Sequence, residues 1–328
     1  MSEIKKQELP VLAIDLGGTK VITALISSKG EMLARETLPT LASEGLESVV
    51  NRIFSAIDHL LSLKNVTSFQ ETAISIAAAG VIDMKEGIIT SSPNLPGWHD
   101  VPLRSMVKER YNVNTFLIND AKAAALGEHQ FGTGKGAENL IYITVSTGIG
   151  GGIMINGKLY FGASGGAGEI GHMTIDVNGP KCNCGNVGCL EVLASGTAIA
   201  KEAIKRIREG EQSALRKMVA GKIDNITAEQ VSLAAQGGDY LASEVVAKAA
   251  VYLATGIVNL VNLFNPEIII VGGGVSKIGD LLLSPVKQAV RARVFPLMAK
   301  AVRILPAGLG DDAGVFGAAV FAFQQESD

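Results

Sequence analysis

The feature that most restricts the fold is a motif that occurs twice. Residues 11–15 read as a buried strand, 16–19 (Leu-Gly-Gly-Thr) as a tight turn and 20–26 as the returning strand. From Leu140 the order recurs: Ile-Tyr-Ile-Thr-Val, a turn through Ser146-Thr-Gly148-Ile-Gly-Gly-Gly152, then Ile-Met-Ile and a second turn at Asn156-Gly157. A glycine-tipped hairpin repeated at this distance predicts two similar α/β halves with a cleft between them. The first half opens βββα, since Ser43 can cap a helix that carries Leu46, Val49, Ile53, Ile57 and Leu60 on one face. Residues 73–78 read as a buried strand ending at Gly80, and 115–118 as another that stops at Asn119-Asp120 before a helix over about 121–130. In the second half, Thr227 and Gln230 form a capping box, and a long helix over about 242–264 stops at Asn265-Pro266. The apolar strand 268–271 then ends in Gly272-Gly273-Gly274, and a last helix over about 312–325 is expected to pack back on the first half.

Composition narrows the partners. A chain of 328 residues with 47% hydrophobic content can bury large cores, and its length favours two domains. A formal charge of -3 without a lysine or arginine run argues against nucleic acid or an anionic membrane, and for a small ligand. Residues 1–10 hold no apolar core of signal-peptide length, and the apolar run 249–264 is too short to span a bilayer and carries Asn259 and Asn262. A cytoplasmic protein is expected.

Cys182, Cys184 and Cys189, the only cysteines, fall in the run Cys-Asn-Cys-Gly-Asn-Val-Gly-Cys, with His172 upstream. Three thiolates and an imidazole make the donor set of a tetrahedral Zn²⁺ site, and four protein ligands leave no open position, so such a zinc is structural. The competing reading is three reduced thiols beside an unrelated histidine.

Three glycine elements suit a phosphate-bearing ligand: Asp15 with the turn Gly17-Gly18-Thr19-Lys20, the turn at Thr147-Gly148, and Gly272 to Gly274 at a strand end. Alone, each is equally an ordinary turn. The string Gly166-Ala-Gly168-Glu-Ile-Gly171 matches a dinucleotide fingerprint, with Glu191 downstream, but it leads into the cysteine loop instead of opening a helix. No P-loop string occurs. Asp120, between strand and helix, suits an N-cap first, and with support from elsewhere a general base for a hydroxyl that attacks phosphorus. Glu169, His172 and Glu191 add polar groups tied to the cysteine loop. His59, His99 and His129 have structural or exposed roles as the default, and Trp98 anchors a loop.

Together, Asp15-Leu-Gly-Gly-Thr-Lys20, Pro93-Asn-Leu-Pro-Gly-Trp98, Asn119-Asp-Ala121, Gly168-Glu-Ile-Gly-His172 and Cys182-x-Cys-Gly-x-x-Gly-Cys189-x-Glu191 resemble the ROK (repressor, ORF, kinase) family of sugar kinases along essentially the whole chain. The Ala194-Ser-Gly-Thr-Ala198 run is most similar to the family's bacterial glucokinases. The resemblance implies an α/β protein of two actin-like, ribonuclease H-like lobes with an interdomain cleft: a small lobe of 1–118 plus 312–328, and a large lobe of 119–311 with the zinc loop at 172–191. It implies ATP with Mg²⁺ against Asp15, Gly17, Gly18, Thr19, Lys20, Thr147, Gly148, Gly272, Gly273 and Gly274. It further implies a hexose read by Asn94, Asn119, Asp120, Glu169, His172 and Glu191, with Asp120 as the base that deprotonates the C6 hydroxyl. Relatives commonly form homodimers or homotetramers. The stretch Ala77-Ala-Ala-Gly80 departs from the Pro-Gly pair of many relatives and bears on sugar preference. Glucose is the expected substrate, with N-acetylmannosamine or N-acetylglucosamine as alternatives; fructose and polyphosphate branches fit less well. A sugar-binding repressor is the reading from another class, disfavoured because the first hairpin begins by Val11 and leaves no room for a helix-turn-helix domain.

Overall fold

The structure, a computed structural model, describes residues 9–63 and 73–326. Most of the segment 1–10, read above as carrying no signal peptide, lies outside the described residues. The first half comprises β1 (Val11–Leu16), β2 (Lys20–Ile26), β3 (Met32–Pro39), α1 (Leu46–Leu63), β4 (Ile74–Ala78), β5 (Val81–Asp83), β6 (Ile88–Ser91), β7 (His99–Val101), α2 (Leu103–Tyr111), β8 (Thr115–Asn119) and α3 (Asp120–Gln130). The second comprises β9 (Leu140–Val145), β10 (Ile149–Ile155), β11 (Lys158–Leu159), α4 (Leu190–Ala194), α5 (Gly196–Arg208), α6 (Leu215–Met218), α7 (Ala228–Gln236), α8 (Tyr240–Phe264), β12 (Ile268–Gly272), α9 (Asp280–Arg293), α10 (Pro296–Ala301), β13 (Arg303–Pro306) and α11 (Ala313–Gln325).

The duplication is explicit in the sheets. One runs β3-β2-β1-β4-β8 and the other β11-β10-β9-β12-β13, each with an antiparallel hairpin followed by parallel strands. Strand alternation assigns the two faces of each sheet to different cores. Leu12, Ile14 and Leu16 pack outward with Val49, Ile53 and Ile57 of α1, whereas Val11 and Ala13 face inward toward α11. In β9, Ile141, Ile143 and Val145 join Leu253, Ile257 and Val261 of α8, and Leu140 and Tyr142 face inward.

Between the inner faces lie α3 and α11, which pack on each other; α11 covers β1 and β4, and α3 covers β10 and β9. Their approach requires glycine. A Cβ on Gly317 would collide with the Ala123 carbonyl oxygen, and one on Gly127 would lie 2.9 Å from the Gly317 nitrogen. Against β10, a Cβ on Gly150 would sit 2.9 Å from the Ala121 Cβ, and one on Gly152 would lie 3.2 Å from the Lys122 Cα.

Three local expectations change. Ser43 lies in a 3₁₀ turn over 42–44 that ends at Gly45, so it does not cap α1; Val49 N–H bonds to the Gly45 carbonyl instead. Gly150, Gly151 and Gly152 belong to β10 and not to the turn, which spans only 146–148, because their role is close packing on both faces. The helix ending at Phe264 starts at Tyr240 and is, by length and composition, the one among the described residues able to cross a membrane; most of it is buried against neighbouring helices.

Gly317→Ala is expected to cost about 1–3 kcal/mol through overpacking against α3, whereas Gly166→Ala, whose Cβ would find only the Ser164 hydroxyl at 3.7 Å, should leave stability nearly unchanged. Chemical denaturation of both variants checks the pair.

Candidate active site

Asp15 is the penultimate residue of β1, and Asp120 opens α3 directly after β8. The capping role anticipated for Asp120 falls to Asn119: its Oδ1 accepts from the N–H groups of Ala121 and Lys122, both at 3.1 Å, while its Nδ2 donates to the Gly80 carbonyl at 3.1 Å. Asp120 is thereby left for other work. Its Oδ1 accepts from the Ala121 N–H at 2.8 Å, leaving Oδ2 to receive a donor.

The charge of Asp120 acts on Asp15. Burial first, then the charge of Asp120, push Asp15 up to about 7, with Lys20 opposing and Asp312 and Asp311 adding to the rise. Burial likewise raises Asp120 to about 6, opposed by the Ala121 N–H and Lys122, with Glu169 pushing further upward. Gly314 explains the packing around Asp15, since a Cβ there would strike the carboxylate. Asp15, Asp120 and Glu169, far apart in sequence, therefore share one electrostatic neighbourhood where the two halves meet.

The three glycine elements lie at the β1–β2 turn, the β9–β10 turn and the end of β12. Gly18 lies against Asn94, for a Cβ on Gly18 would come within 2.9 Å of the Asn94 Cβ. Asn94 is exposed on the β6–β7 loop, which is pinned by the buried Leu95 and Trp98, as expected for Trp98. Thr147 and Gly148 form the second turn, with Thr147 exposed and its carbonyl accepting from the Thr197 hydroxyl at 2.8 Å. Gly272 and Gly273 lie at the end of β12 against Tyr142 and Val145, and a Cβ on Gly274 would meet open space. Lys20 pairs with Asp311 at 2.7 Å, and Lys277, just past the third glycine element, approaches the same carboxylate at 3.6 Å. Asp311, Asp312, Lys277 and Lys122 escaped the sequence reading, because nothing local in the chain marks them as neighbours of Asp15 and Asp120.

The supposed dinucleotide string has a packing explanation. A Cβ on Gly168 would lie 2.8 Å from the Gly151 carbonyl oxygen, and one on Gly171 would strike that of Ile149. These glycines press the segment bearing Glu169 onto β10, and a 3₁₀ turn over 170–172 then presents His172.

His172, Cys182, Cys184 and Cys189 place their donor atoms within 4.8 Å of one another. His172 Nδ1 lies 3.7 Å from Cys182 Sγ, and Cys184 Sγ lies 3.7 Å from Cys189 Sγ. A zinc tetrahedron with metal–ligand bonds of about 2.0–2.3 Å has edges of roughly 3.5–3.8 Å, so the donor set fits the ion. Burial, then the neighbouring thiols, push the Cys189 thiol up to about 12, so that this sulfur needs a cation to ionise, whereas the Asn186 backbone N–H first, then the neighbouring thiols, lower Cys184. The loop is turned by Gly185 and Gly188, both at positive φ, and held by Cys182 N–H to the Asn186 carbonyl at 2.8 Å. Cys189 leads directly into α4, whose Glu191 accepts the Ile149 N–H at 3.0 Å and closes against Gly148. Of the other histidines, His59 pairs with Glu36, His129 bonds the Ala137 carbonyl and His99 is exposed.

Comparison with known proteins agrees with this geometry. The sequence profile of the ROK family matches residues 11–325. A glucokinase of Halalkalibacterium halodurans is 40% identical over 317 residues, 96% of each chain. A xylose repressor of Caldicellulosiruptor bescii is 33% identical over 96% of this chain and 78% of that protein. The crystal structure of a ROK family glucokinase from Streptomyces griseus in complex with glucose and AMPPNP superposes with a TM-score of 0.85 at 34% identity, covering 96% of this chain and 99% of that one.

The raised Asp15 value predicts how stability depends on pH. Between its ordinary 3.8 and about 7 the folded state holds a proton that the unfolded state has released, so this carboxyl lowers stability progressively as pH rises through that window. Asp15→Asn, neutral at every pH, should melt above the wild type at about pH 8, with the advantage shrinking toward about pH 4. Equal melting at both values would place the carboxylate in water.

Proposed function

This chain belongs to the ROK family, and we propose that it is an ATP-dependent hexose kinase that phosphorylates glucose at the C6 hydroxyl. The observation that carries the reading is the pair Asp15 and Asp120, both dehydrated, with the charge of Asp120 pushing Asp15 up. In this reading the small lobe is 1–118 plus 312–328 and the large lobe 119–311; the packing of α11 on β1 and of α3 on β10 supports that division. ATP lies along Gly17, Gly18, Thr19 and Lys20, with Thr147, Gly148 and Gly272 to Gly274 completing the clamp, where bare amides reach phosphate oxygens. Asp15 is the carboxylate suited to hold the Mg²⁺ that accompanies ATP, which neutralises phosphate charge.

Glucose is held by Asn94, Asn119, Glu169, His172 and Glu191. With Nδ1 turned to the cysteines, His172 Nε2–H is left to donate to a sugar hydroxyl. Asp120 Oδ2 takes the C6 hydroxyl proton as that oxygen bonds to the γ-phosphorus and ADP departs with the electrons of the broken P–O bond. Closure of the lobes excludes water, which would otherwise accept the phosphoryl group. An N-acetylhexosamine kinase is the second reading, since the residues assigned here do not discriminate at C2. A non-catalytic sugar-binding regulator, the class of the xylose repressor relatives, has no need of a dehydrated base at Asp120.

A coupled ADP-release assay over glucose, mannose, N-acetylmannosamine, N-acetylglucosamine and fructose should rank glucose first by kcat/KM; no turnover with any of them sinks the kinase reading. Asp120→Asn should lower kcat by about 10²- to 10⁴-fold with sugar affinity nearly kept. Metal analysis should find about one zinc per chain, and chelation should lower Tm and weaken sugar binding together; a metal-free, fully active protein would refute the zinc site.

A further inference from the structure

Lys277 belongs to a 3₁₀ turn over Gly274–Ile278 that opens on the third glycine element. That turn is fixed on two sides. The Gly273 carbonyl accepts the Ser276 hydroxyl at 2.7 Å and the Ser276 N–H at 3.1 Å. A Cβ on Gly196 would come within 3.3 Å of the Val275 Cγ2 and 2.8 Å of the Ser146 carbonyl oxygen, so the 3₁₀ turn also lies beside the β9–β10 turn. From there Lys277 Nζ reaches to 3.6 Å from Asp311 Oδ1, while Lys20 Nζ donates to Asp311 Oδ2 at 2.7 Å. One carboxylate thus gathers two ammoniums from opposite sheets, since Lys20 begins β2 of the first and Lys277 follows β12 of the second. The segment bearing Asp311 is itself anchored. Gly308 and Leu309 donate their N–H groups at 3.1 and 2.8 Å to the fully buried Glu128, and Asp312 pairs with Arg35 at 2.8 Å.

Folding stability does not account for this convergence. The side chains of Lys277, Lys20 and Asp311 are 72%, 41% and 53% exposed, and exposed ion pairs contribute only about 0–1 kcal/mol. A single carboxylate cannot neutralise two ammoniums, so the group keeps a net positive charge beside turns whose bare amides suit phosphate oxygens. At 3.6 Å Lys277 is drawn to Asp311 by charge and not through a hydrogen bond, which leaves its three N–H donors for another acceptor. We propose that Lys277 is a second cationic contact to the terminal phosphates of the bound nucleoside triphosphate, beside Lys20. The proposal deepens the kinase reading and rests on its placement of ATP along the glycine turns. Phosphate is the part of the nucleotide that fits, because an ammonium offers charge and donors but no flat face on which a base could stack.

Calorimetric binding of AMPPNP, of AMP and of glucose to the wild type, Lys277→Arg and Lys277→Met tests this without turnover, with melting curves to verify folding. Lys277→Met should weaken AMPPNP by roughly 5- to 10-fold, the loss of one exposed charge-assisted contact, and leave AMP and glucose nearly unchanged. Lys277→Arg should keep most of the AMPPNP affinity. Unchanged AMPPNP affinity in folded Lys277→Met, an equal loss for AMP, or an equal loss in Lys277→Arg overturns the assignment of Lys277. A wild type that does not bind AMPPNP overturns instead the placement of ATP beneath it.

Discussion

Everything in this molecule hangs on the backbone-to-backbone crossing of α3 and α11. Gly127 and Gly317 bring the two helices closer than any side chain would permit, and Gly150 and Gly152 let α3 settle on β10 in the same way. Four missing side chains thus fix the separation of the two sheets. That separation places Asp15, at the end of β1, and Asp120, at the start of α3, within each other's electric field.

A site built on a helix terminus must reconcile two demands. The free N–H groups of α3 need acceptors, and the proposed reaction needs a carboxylate that is not used up in supplying them. The division of labour between neighbours meets both: Asn119 caps α3 and ties it to Gly80, while Asp120 spends one oxygen on the Ala121 N–H and keeps the other. Dehydration then raises the acids toward neutrality, the range in which a carboxylate is basic enough to take a hydroxyl proton as the new bond forms.

The cysteine loop is tied into the same arrangement. Its last ligand is the residue before α4, and Glu191 in that helix grips the Ile149 amide at the second glycine turn. At its other end, His172 ends the 3₁₀ turn that follows Glu169, and Gly168 and Gly171 clamp that segment to β10. A zinc bound there has no open position for chemistry. Its proposed effect is to hold Glu169, His172 and Glu191 in one rigid wall.

Much of this was legible in the chain. The repeated hairpin, the capping box at Thr227, the anchoring by Trp98 and the Cys₃His donor set are local patterns, and local patterns survive folding because backbone geometry and ligand chemistry depend on adjacent residues. What depends on distant partners did not show. The glycines of 148–152 read as part of one turn, yet only Gly148 lies outside β10, since strand glycines and turn glycines look alike until a helix is laid across them. Asp120 read as a cap or a base until the path of the backbone gave the cap to Asn119. Sequence by itself determined the duplicated α/β plan, the family likeness and the metal donors. Tertiary structure alone decided which glycines are spacers, which carboxylate is free and that Lys122 is buried, because desolvation and charge coupling are properties of the surroundings that segments remote in the chain create only when packed together.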